Sequence, residues 1–93
     1  METFKIILSP KAQKDLDRFR VNICKKISKD IRILENNPFP RGKMIKKIKC
    51  KHSDFYRLRM DKYRVIYMID GQHVVILRIL NKRDTERFIQ SLS

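Results

Sequence analysis

Apolar residues change their spacing along this chain often enough to divide it into short elements. Thr3-Phe4-Lys5-Ile6-Ile7-Leu8 is rich in β-branched and aromatic residues and predicts a first strand. Ser9-Pro10 then opens a helix, with serine as N-cap and proline at the first helical position. Ala12, Leu16 and Phe19 give that helix an apolar stripe. The pattern restarts around Phe19-Arg20-Val21-Asn22, and Ile23, Ile27, Ile31 and Leu34 recur at helical spacing through Asn36. Asn37-Pro38 stops it, because the residue before a proline disfavours the helical conformation.

The spacing then shortens from helical to alternating. Three strands are predicted at about 55–60, 63–69 and 72–80, the first two joined at Asp61-Lys62. Strand side chains alternate between faces, so Tyr56, Leu58, Met60, Tyr63, Val65, Tyr67 and Ile69 share one apolar face. That face is expected to pack on Ile23, Ile27, Ile31 and Leu34. The other carries Arg57, Arg59 and Arg64 beside Ile66 and Met68 and reads as an open, concave, cationic surface. If Met60 and Tyr63 flank a two-residue turn, Arg59 lies directly opposite Arg64, an arrangement that destabilises a sheet unless an anion belongs there. Asp70-Gly71 predicts a type I′ hairpin, and Asp84 is expected to cap a short last helix ending in Phe88, Ile89 and Leu92. Phe39-Pro40-Arg41-Gly42 reads as a linker or turn, and the strongly basic segment that follows is anchored by Ile45 and Ile48. The result is one α+β domain over residues 1–93, ordered β-α-α-β-β-β-α, with a small antiparallel sheet and an N-terminal helical hairpin on one face.

Charge narrows the function. Lysine and arginine total 23 against 10 acidic residues, a formal net charge of +13 in 93 residues. The sequence pI is near 10.2. Such a balance points to nucleic acid, an anionic membrane surface or an acidic protein. Arg41, Lys43, Lys46, Lys47, Lys49 and Lys51 fall within eleven residues without an acid among them and are the candidate RNA-binding run. No apolar stretch approaches the roughly 18–20 residues that span a bilayer, and the N-terminus has no signal-peptide pattern, so a cytoplasmic protein without a membrane partner is expected. Cys24 and Cys50 are too far apart for a CxxC motif and have no histidine at ligand spacing, which predicts free thiols and no metal or other cofactor.

The element order, the string YRLRMDKYRVIYMIDG from Tyr56 to Gly71 and the closing Asn81-Lys82-Arg83-Asp84 resemble the RelE/ParE superfamily of toxins from toxin–antitoxin pairs. The resemblance implies an acidic antitoxin covering the basic surface and no homo-oligomer of the free toxin. It also implies one of two activities: ribosome-dependent cleavage of mRNA, as in RelE-like members, or non-enzymatic inhibition of DNA gyrase, as in ParE-like members. A degenerate member that only binds nucleic acid is a third reading.

Metal-free RNA cleavage uses the ribose 2′-hydroxyl as nucleophile. It needs a base for that hydroxyl, an acid for the leaving 5′-oxygen and positive charge on the phosphorane-like transition state. By the resemblance, Arg57 and Arg59 fall where the family has strand lysines or arginines, Arg64 matches an arginine of the next strand, and Arg83 matches a basic residue of the C-terminal motif. Guanidinium groups bind phosphate oxygens two at a time, so all four suit transition-state stabilisation. Arginine does not lose its proton in proteins and cannot serve as the base. The C-terminal tyrosine found in many RelE-like nucleases is replaced here by the run Thr85-Glu86-Arg87-Phe88. Glu86 is therefore the candidate base, with His52 and Tyr56 as further titratable groups.

Overall fold

A computed structural model describes residues 3–50 and 53–92. The elements are β1 (Lys5–Leu8), α1 (Pro10–Asp17), α2 (Val21–Ile31) with a 3-10 turn over Arg32–Glu35, β2 (Ile45–Lys49), β3 (Asp54–Met60), β4 (Tyr63–Asp70), β5 (His73–Asn81) and α3 (Lys82–Leu92). The strands form one sheet in the order β1-β5-β4-β3-β2. Every neighbouring pair is antiparallel except β1–β5, which is parallel. The helical hairpin carries the chain from β1 at one edge to β2 at the other, and the meander returns through β3 and β4 to place β5 beside β1.

The expected core is present. Leu58, Met60, Val65 and Tyr67 cluster with Ile27, Ile31 and Leu34, and Tyr56, Tyr63 and Ile69 pack at its margin. Tyr67 is fully buried and donates its hydroxyl to the Pro38 carbonyl at 2.6 Å, tying the loop after α2 to the sheet. Burial pushes that phenol well above its ordinary range, with Tyr56 adding to the effect and Arg41 opposing it. The Ser9 hydroxyl accepts from the Ala12 N–H, as an N-cap should.

Four details depart from the sequence expectation. Residues 45–49, expected only as an anchored basic segment, are an edge strand: Ile45 and Ile48 are three apart, so period-two alternation is hidden, and the five-residue strand is fixed by pairing with β3. The Arg-bearing face is not open, because α3 lies over β4 and β5 and buries Ile66 and Leu80 beneath it. Asp70 pairs with His73 as the last residue of β4, leaving Gly71-Gln72 as the turn; positive φ falls on Gly71 alone, the type II′ rather than the type I′ pattern. Lastly, α3 is capped by Asn81, whose side-chain oxygen accepts from the Asp84 N–H at 2.7 Å, and Asp84 lies inside the first turn.

One buried ion pair holds the layers together. β5 runs past the end of β1, and α1 covers the edge thus exposed. Asp15 of α1 accepts from the Ile79 backbone N–H at 3.0 Å and takes both forks of Arg78, at 2.7 and 3.0 Å. This bond to Asp15 holds the Arg78 guanidinium above its ordinary pKa. Arg78 also lies 5.5 Å from the centroid of the Phe88 ring on α3. Removing a partner from a buried, hydrogen-bonded pair leaves the other unsatisfied, though Arg78 is partly exposed and the penalty is softened. Asp15→Ala is expected to cost about 2–3 kcal/mol by urea denaturation. Asp15→Asn, which keeps one acceptor for Ile79, is expected to cost less.

Candidate functional site

The β3–β4 turn sets the site. Asp61 adopts φ +43°, and Met60 pairs with Tyr63, so Arg59 and Arg64 are directly opposed across the hairpin as the alternation predicted. Arg57 lies two residues along β3, opposite Ile66, on the same face. Lys82, Thr85, Glu86 and Ile89 of α3, at helical spacing i, i+3, i+4 and i+7, close the other side. These seven residues line a cleft of about 170 Å³. That is below the usual size of small-molecule pockets, and its wall of cations suits one phosphate group of a chain passing across the surface.

Among the described residues no carboxylate pairs with these arginines. Arg64 is only 6% exposed, and its Nη1 donates to the carbonyls of Asp61 and Tyr63 at 3.0 and 2.9 Å. Burial first, then the charges of Arg59 and Arg57, lower its affinity for its proton. Arg57 Nε is buried without a hydrogen-bond partner, the one such side-chain nitrogen or oxygen among the described residues. Of the nearby acids, Asp54 lies on the other face of β3 and pairs with Lys47 at 3.2 Å, and Asp61 in the turn pairs with Lys26 at 3.3 Å. Glu86 lines the cleft, yet among the described residues no ion pair joins it to any of the three arginines.

Other predicted residues separate. Arg83 is exposed on a neighbouring face of α3, about 100° round the helix from Lys82, and does not line the cleft. Lys82 occupies the place expected of it. The helix start at Asn81 would have indicated this, since Lys82 then shares a face with Thr85 and Ile89. Tyr56 is turned to the core face, stacked on Tyr67 with ring centroids 5.5 Å apart, and is not in the cleft. Of the basic run, Lys46 stands opposite Arg57 on the arginine face of the edge strand, whereas Lys47 and Lys49 fall on the face of buried Ile45. Arg41 pairs with Ile45 through backbone bonds across a turn that contains Lys43. Lys51 and His52 lie outside the described residues. Cys24 donates its thiol to the carbonyls of Leu16 and Phe19, closing the α1–α2 turn. No cluster of three metal-ligating side chains occurs among the described residues, and no described helix is long and apolar enough to cross a membrane.

A cation pair with no counter-ion is a stability cost that truncation should relieve. Arg59→Ala, at an exposed position, is expected to raise the urea midpoint at low ionic strength by an amount worth a few tenths to about 1 kcal/mol. The gain should shrink as sodium chloride screens the repulsion. A loss of stability on substitution would mean that Arg59 has an internal partner.

Comparison with known proteins agrees with this architecture. Residues 6–86 match the family described as the ParE toxin of the parDE type II toxin–antitoxin system. The chain is 30% identical over 83 residues to the RelE1 protein of Methanocaldococcus jannaschii, covering 87% of this chain and 91% of that one. Its fold is similar to a chain of the RelBE2 toxin–antitoxin complex of Mycobacterium tuberculosis, with TM-score 0.72, 21% identity, and 86% and 99% of the two chains covered. It is also similar to a chain of the RelE–RelB complex of Pyrococcus horikoshii, with TM-score 0.71, 26% identity, and 86% and 96% covered. The chain thus belongs to the RelE/ParE superfamily of toxins from type II toxin–antitoxin systems.

Proposed function

We propose that this toxin is a ribosome-dependent endoribonuclease that cleaves mRNA by metal-free attack of a 2′-hydroxyl on the adjacent phosphate. The observation that carries the reading is the cleft of Arg57, Arg59 and Arg64, three guanidiniums with no carboxylate partner among the described residues and one buried nitrogen left unpartnered. A scissile phosphate would meet Arg64 and Arg59 from opposite strands and satisfy Arg57 Nε. The three would then stabilise the charge that develops as phosphorus becomes five-coordinate. Glu86 is the one carboxylate in the cleft and the candidate base for the 2′-hydroxyl. Lys46 extends the cationic face to the sheet edge, where it, Arg41 and Lys43 would meet the ribosomal RNA backbone; Lys47 and Lys49 would reach RNA only from the other side of the edge.

The partner that keeps such a protein silent should carry the opposite charge. The related RelE chains were solved in complexes with RelB, and a net charge of +13 supports an acidic antitoxin here. A gyrase-directed activity is the second reading, favoured by the ParE description of the matching family. It needs no proton transfer and assigns the cleft to protein contacts.

In a translating extract, the protein is expected to cut mRNA and leave 2′,3′-cyclic phosphate ends. Arg64→Ala should reduce the cutting by about 10²–10³-fold, the usual loss of one charge-stabilising donor, and should relieve growth arrest on induction. Uncut mRNA together with inhibited supercoiling by purified gyrase would decide for the second reading.

A further inference from the structure

Phosphodiester transfer at this cleft needs two proton movements, and most of its lining cannot make either. Guanidiniums keep their protons, and Ile89 has none to exchange. The Thr85 hydroxyl is buried and donates to the Asn81 carbonyl at 2.8 Å. Lys82 and Glu86 remain. They are four residues apart on α3, with Cβ atoms roughly 5–6 Å from each other on one face of the helix. Lys82 is also placed against electrostatic preference: it is a cation in the first turn of a helix, at the positive end of the dipole, facing three arginines. Among the described residues neither it nor Glu86 has an ion-pair partner.

We infer that Lys82 is the general acid of this cleft, donating a proton to the 5′-oxygen as it leaves. The inference rests on the nuclease reading above. A carboxylate enters the reaction without a proton and an ammonium enters with one, so each group begins in the form its role requires. The 2′-oxygen forms its bond to phosphorus as its proton passes to Glu86. The bond from phosphorus to the 5′-oxygen breaks as that oxygen takes a proton from the Lys82 ammonium. The products are a 2′,3′-cyclic phosphate and a 5′-hydroxyl. The protein is left with a neutral carboxyl and a neutral amine, which regain their starting forms by exchange with water. Attacking and leaving oxygens stand on opposite sides of phosphorus, and two side chains a helical turn apart can flank it while the arginines hold the equatorial oxygens.

The test replaces the leaving oxygen by sulfur. A thiolate departs without protonation, so an mRNA with a 5′-bridging phosphorothiolate at the position cut by the wild-type protein bypasses the acid. Lys82→Met and Lys82→Arg, both at an exposed position, are expected to cut the oxygen substrate about 10²–10⁴-fold more slowly in a translating extract and the sulfur substrate at close to the wild-type rate. Glu86→Gln should be slow on both. Lys82→Met that cuts the oxygen substrate as the wild type does, or loses both substrates alike, overturns the assignment and leaves the nuclease reading intact. A wild-type protein that cuts neither substrate overturns both.

Discussion

Arg59 and Arg64 face each other across a two-residue turn, and the fold tolerates it because the other face of the same strands leaves no choice. Side chains on a strand alternate, so a one-residue slip of the β3–β4 register would restore distance between the guanidiniums but turn one strand over, expelling either Leu58 and Met60 or Val65 and Tyr67 from the core. Each such side chain stabilises by about 1.5–3 kcal/mol when buried, against roughly 0.2–1 kcal/mol for an unfavourable cross-strand pair. Packing wins by a wide margin. The cationic cleft is a consequence of the core, held in place by residues that take no part in it.

The opposite wall is held by a different chain of contacts. Asp15 fixes Arg78, Arg78 lies against Phe88, and Asn81 caps the helix that begins one residue later. Together they set the rotation of α3 about its own axis, which decides that Lys82 and Glu86 face the arginines and that Arg83 does not. A stability element between α1 and β5 therefore determines the chemistry available more than one strand away.

What the sequence made legible follows from which signals are local. The hairpin register, the helical hairpin and the core face rest on alternation, helical periodicity and turn chemistry, and they agree with the structure. β2 was hidden because Ile45 and Ile48 break the alternation and its lysines look like a solvated run. The cover over the arginine face and the place of Arg83 depended on where α3 docks, which is set by Asp15 and Arg78, 63 residues apart in the chain. No local pattern encodes that pairing. The resemblance matches Arg83 and not Lys82 beside it, and one position on a helix is a turn of about 100°, so the two face different surroundings.

Binding of an RNA phosphate in this cleft would be reported most directly by the side-chain Nε–Hε resonances of its arginines. A short RNA blocked by 2′-O-methyl groups, titrated in low salt and followed by NMR, should shift Arg57 and Arg64 in a saturable manner. Arg57 should also gain slowed exchange of its Nε proton as that orphan nitrogen finds an acceptor. Shifts confined to Arg41 and the β2 lysines, with Arg57 and Arg64 unmoved at saturation, would contradict the account.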